Sequence, residues 1–141
     1  MLVREAYTLD LIHLIEYAYN KLHAREFGIL YQAQENFATK DMAEKALDNL
    51  ECQLAGDMAV DESNVVSAFE SMRNEGVDAL IIAHKGSTIK RLLTSSHFRK
   101  EQAIPVLVCT LDLDEVLDAV AEQKSGSYKN VYIATGLPTF A

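Results

Sequence analysis

The densest group of chemically useful residues is His84, Lys85, Gly86, Ser87 and Thr88. They follow five unbroken apolar residues, Ala79–Ala83, and precede Ile89, Leu92 and Leu93 at helical spacing. An apolar run that short reads as a strand buried on both faces, as in parallel sheets. Strand, polar turn and helix start make half of a βα unit. The first N–H groups of a helix lack intrahelical partners, and its dipole is positive at that end. Gly86 lets a ligand approach the backbone, Ser87 and Thr88 supply hydroxyls, and Lys85 supplies charge. Such a turn suits a phosphate or a carboxylate. A capped helix start with nothing bound is the plainer alternative.

Other chemistries find less support. His84, Ser87 and Asp112 can be drawn as a catalytic triad, but common residues at short range carry little weight against the geometry a triad needs. Lys85-Gly86-Ser87-Thr88 only echoes a Walker A loop, because Lys precedes Gly and the upstream Gly is missing; there is no GxGxxG and no GxSxG. His13, His23, His84 and His97 lack metal-ligand spacing, so neither metal nor cofactor is expected. A receiver domain wants a pair of acidic residues after its first strand, and a flavodoxin phosphate loop wants Ser, Thr and Gly there. Gln32-Ala33-Gln34 supplies neither.

The elements that would position the turn can be read in order. Residues 8–22 form a helix with Thr8 as N-cap. Leu11, Ile15, Ala18 and Leu22 make one stripe, and Ile12 and Tyr19 a second. Residues 27–32 are a first strand. A second helix, capped by Asn36 or Thr39, buries Met42, Ala43, Ala46, Leu47 and Leu50. A short strand at 53–55 stops where Gly56 and Asp57 interrupt it. Asp61 starts a third helix, with Val60 and Val65 as its hydrophobic staple and Val65, Phe69 and Met72 as its face. Gly76 fills the left-handed C′ position. After the central strand and its helix, which runs to about Ser95, residues 104–109 form another buried strand. Leu111, Asp112, Glu115 and Val116 then combine a capping box with a staple. Residues 130–134 form the last strand, closed by Thr135, Gly136 and Pro138.

This alternation predicts a three-layer α/β/α domain over residues 1–141. Its five-stranded, mostly parallel sheet takes the flavodoxin-like order 2-1-3-4-5, with an extra N-terminal helix. Ligands in such sheets bind beyond the carboxyl ends of the strands. The turns 84–88, 110–112 and 135–136 therefore meet at one rim. His84, Lys85, Gly86, Ser87, Thr88, Thr110, Thr135 and Gly136 are the candidate ligand-binding residues, with Gln32 and Gln34 beside them.

Composition narrows the partners. A formal net charge of −8 argues against a broad nucleic-acid surface. No apolar run reaches membrane-spanning length, and Arg4, Glu5, Asp10 and Glu16 interrupt any signal-like start. Cys52 and Cys109, apart and in apolar surroundings, read as reduced core thiols of a cytoplasmic protein. The first helix is apolar around most of its circumference, which predicts a homodimer or larger assembly. Residues 8–22 would be buried against another chain through the stripe around Ile12 and Tyr19; a helix tucked deep in one core is the alternative.

The stretches VDALIIAHKGSTIKRL and IPVLVCTLDLDEVLDAV resemble the first lobe of the N-terminal sensory domain of propionate-catabolism transcriptional activators. That lobe has an apolar strand ending in a Gly-Gly-Thr turn, a strand of the form IPV, and an Asp-led helix. Here His84-Lys85 stands where Ser-Arg is usual. The resemblance implies a domain that binds a small carboxylate metabolite and controls an attached ATPase and DNA-binding region. Gly86, Ser87, Thr88, Pro105 and Thr110 are also similar to the C-terminal domain of pyruvate kinase, which implies a regulatory site for a sugar phosphate. Both imply a non-catalytic, anion-binding α/β domain. The alternative is a small enzyme acting on a phosphorylated or carboxylated substrate, with His84 as general acid or base.

Overall fold

β3 (Ala79–Ala83) is buried at all five positions, and the rest of the chain is arranged to cover it. The computed structural model describes residues 2–32, 37–95, 98, 104–110, 114–116, 118 and 131–134. In chain order the elements are α1 (Leu2–Lys21), β1 (Glu26–Tyr31), α2 (Phe37–Asn49), β2 (Gln53–Ala59), α3 (Val65–Asn74), β3, α4 (Gly86–Leu93), β4 (Val106–Cys109) and β5 (Val131–Ala134). The five strands are all parallel, in the order β2-β1-β3-β4-β5. That is the order expected from alternation and right-handed crossovers.

Side-chain alternation along the strands divides the core in two. Phe27, Ile29, Ala79, Ile81, Ala83, Leu107 and Cys109 face α1 and α2, meeting Leu11, Ile15 and Ala18 on one and Ala43, Ala46 and Leu47 on the other. Leu30, Leu80, Ile82, Val106 and Val108 face α3 and α4, meeting Phe69, Met72, Ile89 and Leu92. Phe98 joins this second cluster and packs edge-on to Phe69, with ring centroids 5.3 Å apart. Val116, within the helical residues 114–116, is buried in the same cluster.

The first helix differs from its expected form. It begins at Leu2, so Thr8 lies inside it and cannot be its N-cap. Leu2, Arg4, Glu5 and Ala6 are adequate helix formers, and a capping residue alone does not stop a helix that can extend through it. α1 lies over β4 and β5 and against α2. That position accounts for its broad apolar surface. Leu11, Ile15 and Ala18 reach the sheet, while Ile12, Leu14, Tyr19 and Leu22 are half-buried against the same cluster. Arg25 Cζ sits 3.9 Å from the Tyr19 ring centroid and covers it further. Tyr17, 44% exposed, stacks obliquely on Tyr132 of β5.

Three further boundaries move. α2 begins at Phe37, which puts Thr39 inside it; Asn36 lies outside the described residues. β2 runs through Gly56 and Asp57 to Ala59. Gly56 does not interrupt the strand: a Cβ there would stand 3.1 Å from Met72 Sδ, so its bareness lets α3 approach. Ala55 is an extra residue against β1, a bulge between the Phe27–Leu54 and Gly28–Gly56 pairs. α3 starts at Val65, four residues after Asp61, because Asp61 first organises a separate turn.

Helix C-termini use the left-handed conformation three times. Gly76 (φ 88°) follows α3 as expected, but His23 (φ 59°) and Glu51 (φ 60°) do the same after α1 and α2. A side chain there is strained by contact of Cβ with the backbone. Glu51 is exposed, so Glu51→Gly removes the strain without removing packing. It should raise stability by about 0.5–1 kcal/mol, and Gly76→Ala should lower it by about 1 kcal/mol, both read from urea unfolding midpoints.

Candidate functional site

The carboxyl ends of the parallel strands lie at one rim, and backbone hydrogen bonds continue the ladder across it. Val60 N–H donates to Tyr31 O (2.9 Å), Gln32 N–H to Ala83 O (3.2 Å), and His84 N–H to Cys109 O (3.3 Å). The turns after β2, β1, β3 and β4 are thus fastened side by side in that order. The strand order reverses at β1 and β3, where a crevice is expected. A cavity of about 300 Å³ opens there, lined by Gln32, Val60, Asp61, Glu62, Ser63, His84 and Lys85. That is the lower end of the size range of small-molecule sites.

His84 holds the crevice together. Its ring is buried, 3% exposed. Nε2 lies 2.8 Å from the Val60 carbonyl oxygen, which can only accept, so Nε2 carries the proton. Nδ1 lies 2.9 Å from Lys85 N and accepts its N–H. The imidazole is therefore a neutral, single tautomer that staples the turn after β2 to the turn after β3, across the end of β1. It presents no unengaged ring nitrogen to a substrate.

The turn after β2 is built around Asp61. Its Oδ1 accepts from Ser63 N–H (2.8 Å), the Ser63 hydroxyl and Asn64 N–H (3.2 Å), while Asn64 Oδ1 accepts Asp61 N–H at 2.8 Å. The hydroxyl and amide of Ser63, with help from Asn64 N–H, hold the Asp61 carboxyl below the usual carboxylate range, against a smaller effect of burial. Asp61 therefore stays ionised at neutral pH.

On the other side, Lys85 is the extended N-cap residue of α4 (φ −69°, ψ 159°), and its own side chain makes no capping hydrogen bond. Gly86 is its first residue and takes a helical rather than left-handed conformation; among the described glycines, φ is positive at Gly76. Gly86 is buried. Ser87 is half-buried. Thr88 is fully buried, and among the described residues its hydroxyl has no hydrogen-bond partner. Leaving such a group unpaired costs about 1–3 kcal/mol. Thr110, 2% exposed, follows β4.

Of the expected site residues, then, His84 and Lys85 line the crevice with Gln32, and Gly86, Ser87 and Thr88 form the helix turn that continues from Lys85. Thr110 stands one strand further along. Thr135, Gly136, Asp112 and Gln34 lie outside the described residues. The wall formed by Val60, Asp61, Glu62 and Ser63 was not expected as part of the site. Its signal was available: the order 2-1-3 places the turn after β2 beside β1. Among the described residues no group of three or more His, Cys, Asp or Glu side chains could hold a metal ion. No described helix is long and apolar enough to cross a membrane. Compared with known proteins, the chain matches no family model and no curated protein.

The lowered Asp61 carboxyl makes stability depend on pH with a definite sign. A depressed folded pKa contributes stability that is present above the unfolded value of about 3.9 and is lost as pH falls through the folded value. Asp61→Asn should therefore be less stable than wild type by a constant margin above about pH 5, and the margin should shrink below about pH 4. Chemical denaturation of both proteins from pH 3 to 7 measures this.

Proposed function

We propose that this chain is a regulatory, ligand-binding domain that senses a small anionic metabolite, a carboxylate or a phosphate, and acts in transcription regulation. One observation carries the ligand reading: the first turn of α4 contains a fully buried hydroxyl, on Thr88, with no hydrogen-bond partner among the described residues. Positive dipole, Lys85 and that hydroxyl together favour negative charge. The link to transcription rests on the resemblance to the sensory domains described above. A net charge of −8 fits a domain that leaves nucleic-acid contact to another region. Two buried, unbridged cysteines fit a reducing, cytoplasmic setting.

The enzyme reading is weaker on geometry. A general acid or base must place a ring nitrogen within reach of the substrate. Both His84 nitrogens are already engaged with backbone groups.

A thermal-shift screen of di- and tricarboxylates and sugar phosphates tests the proposal. A bound ligand raises Tm by mass action, and Lys85→Ala and Ser87→Ala should reduce that rise. Thr88→Val separates stability from binding. It removes an unpaired polar group, so the free protein should gain about 1 kcal/mol while the ligand-induced shift falls. If no anion shifts the wild type, there is no such site.

Self-association through residues 8–22 belongs to the same proposal. Among the described side chains of α1, Tyr17 is an exposed aromatic, with half-buried Ile12 on the same helix. Sedimentation at tens of micromolar should show a dimer for wild type and a monomer for Ile12→Glu with Tyr17→Glu. A monomeric wild type would overturn it.

A further inference from the structure

The ligand reading says what one end of the crevice attracts; the other end has charge of the opposite sign. Lys85 enters from the turn after β3. Asp61 and Glu62 enter from the turn after β2. Those two strands flank β1, so their ends stand two strand spacings apart, roughly 9.5 Å in a regular sheet. The His84–Val60 hydrogen bond fixes the two turns relative to each other, one residue away from Lys85 on one side and from Asp61 on the other. Gln32, from the end of β1, lies between them.

Lys85, Asp61 and Glu62 are all exposed, and among the described residues they form no ion pair with one another. Asp61 is held ionised by Ser63 and Asn64 through one oxygen, Oδ1. A carboxylate can accept at both oxygens, so Oδ2 is left to receive a donor. A bare anion would gain at Lys85 but face two negative side chains at the opposite wall. A ligand with an anionic group and an ammonium group would satisfy both walls at once with charge-assisted hydrogen bonds.

We infer that the crevice selects a dipolar metabolite, with its anionic group at Lys85 and the first turn of α4 and its ammonium group at Asp61 and Glu62. This rests on the ligand-binding reading and adds its chemical class. The carboxylate wall sets specificity by repelling anions that lack the amine.

The test uses calorimetric titration at pH 7 with three matched pairs, each differing by one ammonium group: aspartate against succinate, glutamate against glutarate, and glucosamine 6-phosphate against glucose 6-phosphate. In at least one pair the amine-bearing member should bind about tenfold tighter or better, the gain expected of one well-made charged contact. Glu62→Gln, an exposed and structurally neutral change, should shrink that ratio to about threefold or less, chiefly by improving the amine-free member. Asp61→Asn should act in the same direction, but its turn can loosen, so Glu62→Gln decides. Lys85→Gln should weaken both members of the pair alike. Equal binding within every pair, with Lys85 still required, would overturn this inference and leave the anion-binding proposal standing. Failure of every compound, alongside a featureless anion screen, would overturn both.

Discussion

The double-sided burial of β3 is the constraint from which the architecture follows. Ala79, Leu80, Ile81, Ile82 and Ala83 have no exposed face, so apolar cover is required above and below the same five residues. α3 and α4 provide it on one side. On the other, α2 packs on the β1–β2 half of the sheet. Ala83, Leu107 and Cys109 would be left facing water without a further helix, and α1 supplies it. A helix from the start of the chain thus covers the sheet half that its last strands form. Its apolar breadth follows from lying in the angle between the sheet and α2, where flanking positions are half-buried as well as the central stripe.

Parallel strands cannot be buried on both faces without bringing their carboxyl ends to one rim, and this is how the core creates the site. The strands end, the ladder continues for one more hydrogen bond between each pair, and then the turns diverge. His84 sits at the point of divergence. As a buried polar ring it must have its two nitrogens satisfied, and backbone groups of two different turns do so. The same requirement that makes it tolerable in the core makes it a structural tie. Its position in a polar, hydroxyl-rich turn suggested catalysis; its hydrogen bonds argue for a positioning role.

Local departures from expected boundaries arise where a weak local preference meets a competing one. A capping residue, a glycine or a short polar turn states a local preference worth about 1 kcal/mol. Thr8, Thr39 and Asp61 were plausible caps, yet α1 and α2 extend past the two threonines and α3 begins after Asp61. Gly56 is a strand breaker by composition and a packing residue in fact, because Met72 occupies the space of its missing side chain. His23 and Glu51 carry left-handed conformations that no glycine announced. At Gly56 packing outweighs the local preference, and at Asp61 the side chain's own hydrogen bonds shape a turn ahead of the helix.

Element types, their order and the buried faces were legible in the chain alone, since hydrophobic periodicity reports which side of an element meets apolar neighbours. The alternation of strand and helix was enough to predict the parallel sheet and its order 2-1-3-4-5. The turn at 84–88 was recognisable because a buried strand led directly into it. What the sequence could not specify was which distant turn would face it. Asp61, Glu62 and Ser63 are more than twenty residues from His84, and only the pairing of β2 and β3 on either side of β1 brings them to the same crevice. The state of the His84 ring was likewise decided in three dimensions, because a tautomer depends on the partners of both nitrogens, and one of them, the Val60 carbonyl, comes from that distant turn.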